Sequence, residues 1–291
     1  MQKILIMGAD KTVGNFLVER LGQMGVKCRA ACHNPQRLRS GHYSAVVERV
    51  PFDFSDKLSI ERAFNQISAL FLLTPEDENL FSYVKSSMEV ARDFSIKQVV
   101  YVSLLGCENP SCGGPLIKLH RQAEDLIRNS SIPYTILRPN CLMQTILSLI
   151  EPSTGMIYLP MGEAKVSYID ARDVAIVAAD IFLPGAHHYY KTYNLTGKEA
   201  LSMHQVASRL SEVSGVKIGY VDVPESTAEE NLRKIYPRER VGMILEYLKL
   251  LSSGQASLIS SAEEVVARAE PILFIDFARD YAEEIRRRLA A

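Results

Sequence analysis

The sequence predicts a doubly wound α/β fold built on a parallel sheet. Short apolar runs alternate with longer helical patterns through the first half of the chain. The runs are continuously apolar, which is typical of strands that helices cover on both faces. Strand–helix–strand repetition also predicts right-handed crossovers. The predicted fold class is therefore α/β, with a doubly wound parallel sheet and a smaller mixed C-terminal lobe.

Each predicted element of the first half follows from its pattern of apolar residues. The strands are apolar runs of four to six residues, namely Lys3–Met7, Lys27–Cys32, Ala45–Val50, Ala69–Leu73, Gln98–Ser103 and Tyr134–Leu137. Between them, apolar residues recur at helical spacing, which predicts helices over Val13–Met24, Leu58–Gln66, Asn79–Phe94 and Leu116–Arg128. We assign residues 1–150 to this first domain.

The rhythm changes after Pro139, where proline and glycine interrupt the chain repeatedly. Residues 151–291 are predicted to hold the end of the sheet and a small C-terminal lobe, the kind of element that closes one side of a ligand cleft. Its predicted strands are Thr192–Leu195 and Lys217–Val221. Its predicted helices are Ser202–Ser214, Thr227–Lys234, Arg240–Leu251 and Asp276–Leu289.

Composition excludes several classes of partner. The 291 residues contain 33 Lys and Arg against 34 Asp and Glu, so the formal net charge is −1. This balance gives no general attraction for nucleic acid or for an anionic membrane. We expect a cytoplasmic protein, because neither a signal peptide nor a run of roughly 20 apolar residues is evident. The five cysteines lack zinc-ligand spacing, so no metal site is predicted.

The strongest local motif follows the first predicted strand. Gly8 comes directly after an apolar run and Gly14 stands six residues later, at the start of a helix. This context is typical of a Rossmann dinucleotide site, in which a pyrophosphate rests on the amides of a helix N-terminus. Lys11 occupies the usual position of the middle glycine. A left-handed backbone there would cost about 1–2 kcal/mol, and the side chain either crowds the phosphates or forms an ion pair with one.

The end of the second strand indicates which dinucleotide binds. An NAD site typically has Asp or Glu at this point, whereas this chain has His33 and, further on, Arg37. No carboxylate is present there to repel a 2′-phosphate, and both basic side chains could bind one. The sequence therefore favours NADP(H) over NAD(H).

Together these segments resemble the NmrA-like branch of the atypical short-chain dehydrogenases and reductases. The resemblance covers nearly the whole chain and rests on the motifs taken in order rather than on any one of them. They are Gly8–Gly14, Cys28–Pro35, Phe71–Pro75, Val100–Ser103, Ile132–Asn140, Val166–Ala175 and Tyr193–Gly197.

The resemblance implies roles for matching positions. The pyrophosphate would be wrapped by residues from Gly8 to Val13, namely Gly8, Asp10, Lys11, Thr12 and Val13. His33 stands where an arginine usually contacts the 2′-phosphate. The remaining implied contacts are Asp53 and Phe54 beside the adenine, Thr74 and Pro75 along the path to the nicotinamide, and Pro139 and Asn140 near the nicotinamide itself. Lys11 and His33 both depart from the family pattern.

The region after Ser103 lacks the Tyr-x-x-x-Lys pair that serves as proton donor in ordinary short-chain dehydrogenases. His120 and Glu124 lie four residues apart on one helical face, so the carboxylate could raise the pKa of the imidazole and make it a general acid. The alternative is a buried histidine satisfied by that glutamate. Ser103 ends a strand at the ligand-binding edge and could hold a substrate oxygen. Arg138 is interpreted as an anchor for a loop.

Three functions remain open at this stage. The first is an NAD(P)H-dependent reductase of a small imine, quinone or activated alkene, since such substrates need little or no protein acid. The second is a non-catalytic NADP(H)-binding redox sensor that acts through a protein partner. The third is a non-redox enzyme on the same fold. The sequence identifies neither the substrate nor the oligomeric state.

Overall fold

The computed structural model describes residues 3–38, 45–111, 114–183, 187–267 and 269–290, without the side chains of residues 37 and 263–265. Its strands, in chain order, are β1 (Ile4–Met7), β2 (Cys28–Cys32), β3 (Val47–Pro51), β4 (Ala69–Leu72), β5 (Gln98–Val102), β6 (Tyr134–Pro139), β7 (Met156–Leu159), β8 (Lys165–Val166), β9 (Lys191–Leu195), β10 (Leu201–Ser202) and β11 (Gly219–Asp222).

Helices occupy most of the connections. In chain order they are α1 (Thr12–Gln23), α2 (Lys57–Phe64), α3 (Leu80–Asp93), α4 (Pro115–Arg128), α5 (Met143–Leu147), α6 (Ala171–Ile181), α7 (Met203–Ser214), α8 (Glu225–Leu232), α9 (Arg238–Ser252), α10 (Ala262–Ala267) and α11 (Phe274–Ala290). Short 3₁₀ turns cover Pro35–Arg37 and Gln255–Ser257. No described helix combines the length and the apolar character that crossing a bilayer requires.

Seven strands form the main sheet in the order β3-β2-β1-β4-β5-β6-β9. Every pair from β3 to β6 is parallel, which confirms the predicted doubly wound fold. Strands β1, β2, β4 and β5 are buried along their whole length, as their continuous apolar runs predict. The strand order reverses between β1 and β4. A crevice at this switch point, at the carboxyl ends of the strands, is where such sheets bind ligands.

Contacts divide the chain into two units. The first spans Met1–Cys107, Lys118–Arg138 and Ala171–Asn194 and holds nearly all of the main sheet. The second spans Glu108–Ile117, Pro139–Asp170 and Leu195–Ala291. The single boundary predicted near residue 150 stays a prediction. By contacts, the chain returns to the first unit over Ala171–Asn194, which contains α6 and most of β9.

The second unit has its own small sheets and its own core. Strands β7 and β11 pair in parallel, and β8 and β10 pair antiparallel. Helix α7 begins with a capping box in which Ser202 and Gln205 satisfy each other's backbone amides, and α11 packs closely against it. The buried cluster includes Ile157, Leu210 and Phe277. The strands β7, β8 and β10 and the five-residue helix α5 were not predicted, because their apolar runs are too brief to show a period.

Gly14 allows α1 to approach the turn after β1, and its replacement is expected to destabilise the fold. A Cβ at Gly14 would lie 2.2 Å from the carbonyl oxygen of Gly8 and 2.9 Å from Cα of Ala9. Backbone atoms cannot move aside easily, so we expect Gly14→Ala to lower the free energy of unfolding by about 1–3 kcal/mol. The change is measured by urea denaturation.

Gly242 provides the matched control. It also lies inside a helix, α9, but a Cβ there meets nothing within 4 Å. We expect Gly242→Ala to stabilise the protein by up to about 1 kcal/mol through helix propensity. Similar effects from the two substitutions would contradict the steric explanation.

Candidate functional site

The turn between β1 and α1 is shaped by Gly8. Its φ is +78°, a left-handed value, and a Cβ there would lie 2.3 Å from the carbonyl oxygen of Leu73. The amides of Gly8 and Ala9 both donate to the carbonyl oxygen of Ala31, each at 3.2 Å, which fixes the turn against β2. Only glycine fits this position, on both conformational and steric grounds.

Lys11 does not distort this turn. Its φ and ψ are −79° and 160°, so the residue is extended and the expected left-handed strain is absent. Its amide donates to the carbonyl oxygen of Gly8 at 3.0 Å, and its side chain is exposed. Lys11 provides no side-chain cap for α1, so the first-turn amides of Thr12 and Val13 keep their N–H groups available to an anion.

The residues predicted to surround the adenosine lie at the ends of β2 and β3. His33 is exposed just beyond β2. The pKa of Asp53 is lowered mainly by the amide and the hydroxyl of Ser55, which donate to the carboxylate at 2.8 Å and 2.7 Å, and to a smaller extent by His33. The side chain of Arg37 lies outside the described residues.

Phe54 belongs to an aromatic group next to Asp53. Its ring lies 4.8 Å from that of Phe52 and 5.3 Å from that of Tyr83, measured between centroids. Phe54 is half-buried, so part of its surface remains open for contact with a flat ligand. Asp10, in the turn before α1, is also half-buried.

Two of the predicted cofactor contacts follow β4 directly. Thr74 is 5% exposed, and its hydroxyl forms no hydrogen bond of good geometry with the described residues, although it is close enough to the phenol of Tyr101 to lower the pKa of that phenol slightly. Pro75 is half-buried beside it. A buried polar atom without a partner is costly, so the Thr74 hydroxyl is suited to receive a polar group of a ligand or a water molecule.

Asn140 is used inside the second unit. Its side chain is 2% exposed, and Nδ2 donates to Oγ of Ser167 and to the carbonyl oxygen of Ala256, both at 2.8 Å. Its Oδ1 accepts a hydrogen bond from the amide of Cys141, also at 2.8 Å. Three bonds occupy this amide, which explains Asn140 as a structural residue. Contact of Pro139 and Asn140 with a nicotinamide stays a prediction.

Glu124 is the centre of a buried ionic network in the first unit. Arg138, on β6, donates to both carboxylate oxygens at 2.8 Å and 2.6 Å. Ser103 donates its hydroxyl hydrogen to Glu124 at 2.6 Å, and Arg128 donates at 2.9 Å. Arg128 also donates to Thr192 on β9. Burial would raise the pKa of Glu124, but the hydrogen bonds from Arg138 and Ser103 lower it overall.

This network revises two expectations. The hydroxyl of Ser103 is 3% exposed and gives its hydrogen to Glu124, so its hydrogen is not free to hold a substrate oxygen. Arg138 anchors a helix rather than a loop, because its guanidinium joins β6 to α4. The carboxylate ties α4 to β6 through Arg138 and to the end of β5 through Ser103, while Arg128 ties the same helix to β9.

The predicted contact between His120 and Glu124 is not formed. Its Nδ1 lies 2.8 Å from the hydroxyl oxygen of Tyr101, in a pair that is almost completely buried. Burial lowers the pKa of His120 to about 4, and the nearby charge of Glu124 opposes this only in part. The expected rise in pKa is therefore wrong, and His120 is neutral at physiological pH. Its Nε2 has no hydrogen-bond partner among the described residues.

Tyr101 was not singled out by the sequence analysis. It is the fourth of the five residues of β5, with valine on either side, and it is fully buried. A tyrosine in such a run could have been recognised, since a buried phenol usually needs a hydrogen-bond partner. Burial raises the pKa of this phenol well above its usual value, so it stays protonated.

Three buried cysteines of the first unit are poor nucleophiles. Burial raises the pKa of Cys28 to about 12 and the pKa values of Cys32 and Cys107 to about 11, so these thiols are unreactive. Within the described ranges, no three residues of the types His, Cys, Asp and Glu are grouped so as to hold a metal ion.

The fold and this site together define a class. A parallel doubly wound sheet, a glycine turn after β1 and an uncapped helix N-terminus at the switch point are the features of a Rossmann-type dinucleotide-binding fold. A model of the NmrA-like family matches residues 1–269, and the chain belongs to that family.

Several known proteins of similar sequence and structure are named as reductases. The (4-alkanoyl-5-oxo-2,5-dihydrofuran-3-yl)methyl phosphate reductase of Streptomyces griseus is 28% identical over 289 residues, with 96% of this chain and 98% of the relative covered. The NAD(P)H azoreductase of Xenophilus azovorans is 24% identical, with the same coverage. The NADPH-dependent quinone oxidoreductase of Escherichia coli, solved with NADPH, superposes with a TM-score of 0.81 at 22% identity, covering 95% of this chain and 99% of that one.

Proposed function

We propose that this protein is an NADPH-dependent reductase of a small imine, quinone or activated alkene. The observation that carries the proposal is the uncapped N-terminus of α1, which follows a turn that only glycine at position 8 permits. Membership of the NmrA-like family supports it, as do relatives that are named as reductases using NAD(P)H or NADPH. The extended backbone of Lys11 removes the main objection from the sequence.

The described residues fit an NADP(H) molecule. The amides of Thr12 and Val13 would receive the pyrophosphate, with the exposed Lys11 ammonium beside it as a counter-charge. His33 would approach the 2′-phosphate, since the second strand ends without a carboxylate of its own. Phe54 would flank the adenine. The roles of Asp10, Arg37 and Asp53 in cofactor binding remain part of this proposal.

The chemistry of the site favours substrates that need no strong acid from the protein. A bound nicotinamide supplies the hydride when a reactive carbon is placed against it. His120 is neutral, and the Ser103 hydroxyl hydrogen is held by Glu124. Neither group is therefore a ready proton donor. Iminium ions, quinones and conjugated alkenes accept hydride under such conditions, whereas simple ketones require an acid.

Titration with NADPH, followed by its fluorescence, tests the cofactor assignment. We expect saturable binding by the wild-type protein. If the Lys11 ammonium lies beside the phosphates, Lys11→Glu should weaken binding about tenfold, because reversing one charge near a phosphate costs on the order of 1–2 kcal/mol at a solvated site.

Lys27→Glu is the matched control for this titration. Lys27 is also exposed, but it precedes β2 and so lies at the opposite edge of the sheet from the glycine turn. We expect the control to bind NADPH like the wild type. Absence of binding at millimolar NADPH would overturn the assignment of a dinucleotide site.

Turnover separates an enzyme from a sensor. Oxidation of NADPH is followed with a panel of quinones, iminium ions and conjugated enones. We expect turnover with at least one of these substrate classes. NADPH binding without any turnover across the panel would instead favour the non-catalytic redox sensor.

A further inference from the structure

The Tyr101–His120 pair contains a polar atom that the fold leaves unused. The phenol oxygen and Nδ1 of the imidazole are 2.8 Å apart, and the two side chains are 0% and 3% exposed. Nε2 of the same ring is buried without a partner among the described residues. Buried polar atoms are nearly always paired, so an orphan at the ligand-binding edge of a sheet indicates a contact made by a bound molecule.

Counting unpaired groups determines which atom of the pair carries the bridging hydrogen. If Nδ1–H donated to the phenol, the phenolic hydrogen would have to turn to the nearby Thr74 hydroxyl, and both the Thr74 hydrogen and the Nε2 lone pair would be unpaired. If the phenol donates to Nδ1 instead, only one group, Nε2–H, is left over. The second arrangement leaves fewer unpaired buried groups and is therefore favoured.

We propose that Tyr101 fixes the tautomer of His120, so that the Nε2–H group donates a hydrogen bond to a carbonyl oxygen of the bound cofactor or substrate. Tyr101 is then a positioning residue, and His120 is the group that touches the ligand. This inference rests on the proposed reductase function and specifies how one residue of that site takes part.

The surroundings suit a neutral donor. Glu124, the nearest carboxylate on α4, is already bound by Arg138, Arg128 and Ser103 and does not contact the imidazole. An imidazole that stays neutral can still polarise a carbonyl through its N–H group, and its neutrality avoids burying a charge. One residue of β4 pairs with Tyr101, and Thr74 lies two positions after that residue. The unpaired Thr74 hydroxyl therefore belongs to the same part of the sheet edge as Tyr101.

Nitrogen NMR of protein labelled with ¹⁵N-histidine tests the proposal. Six histidines give signals, and the signal lost in His120→Gln identifies the ring in question. We expect a neutral ring with its proton on Nε2 from pH 6 to pH 8. In Tyr101→Phe, whose fold is checked by circular dichroism, we expect a mixture of the two neutral tautomers.

Added ligands distinguish the two sources of the carbonyl. We expect NADP⁺ to shift the Nε2–H signal, and thio-NADP⁺ to shift it less, if the acceptor is the carboxamide oxygen of the nicotinamide. If the acceptor belongs to the substrate, the shift should appear only when tetramethylbenzoquinone is added to the NADP⁺ complex. Either pattern supports the proposal.

Three results would overturn it: a proton on Nδ1, an imidazolium at pH 7, or an Nε2–H signal that neither probe changes. The last of these, combined with normal NADPH binding and turnover, would remove His120 from the site and leave the reductase function standing. Loss of NADPH binding in the wild-type protein would instead remove the proposed function itself.

Discussion

Replacement of Glu124 by alanine should lower the free energy of unfolding by about 3–5 kcal/mol. The substitution removes both hydrogen bonds by which the buried guanidinium of Arg138 binds the carboxylate, and breaking a buried ion pair by removing one partner costs several kcal/mol. Ser103 and Arg128 lose their acceptor at the same time. Urea denaturation at neutral pH measures the difference.

Glu61 supplies the matched control for this prediction. It also forms an ion pair with a residue four positions away on a helix, but its partner Lys57 is 4.0 Å distant and both side chains are exposed. Exposed pairs of this kind contribute about 0.5 kcal/mol or less. A loss after Glu124→Ala no larger than that after Glu61→Ala would show that the buried network does not stabilise the fold.

His120 should make the protein sensitive to mild acid. Its pKa is about 4 in the folded state, against 6.5 for an ordinary histidine, so the unfolded chain takes up the proton first as the pH falls. The stabilising contribution is complete above pH 6.5 and is lost as the pH falls toward 4. By pH 5 the loss should be roughly 2 kcal/mol.

Comparison of wild type with His120→Gln isolates this contribution. Glutamine does not titrate, so the variant should lose less stability than wild type between pH 7.5 and pH 5, by the same roughly 2 kcal/mol. The comparison uses the change with pH in each protein, and a general weakening of the variant therefore does not affect it. Identical pH dependence in the two proteins would mean that the folded-state pKa of His120 is not depressed.

The sequence was sufficient for the main sheet but not for the contacts of the candidate site. The strands from β1 to β6 were placed within two residues, and four of them, β1, β2, β4 and β5, are buried throughout, which requires the apolar runs that make such strands easy to recognise. The turn at Gly8 was also predicted, since a left-handed residue after a strand favours glycine.

The contacts that sequence reasoning missed depend on residues far apart in the chain. Helical spacing placed His120 and Glu124 on one face of α4, but it could not reveal that Arg138 of β6 binds the carboxylate. It also could not reveal that Tyr101 of β5 forms a hydrogen bond with the imidazole. The backbone angle of Lys11 depends on the whole turn and not on the residue type alone.

The clamp on Glu124 has a consequence for the imidazole one helical turn away. Arg138 and Ser103 bind the Glu124 carboxylate from outside α4, and Arg128 of α4 donates to Thr192 on β9, so these contacts restrain rotation of the helix about its axis. His120 lies on the same face of α4, so the contacts that hold Glu124 also help to fix the orientation of the His120 ring. A substitution that weakens the contacts of Glu124 should therefore make the orientation of the His120 ring less well defined before it disturbs the sheet.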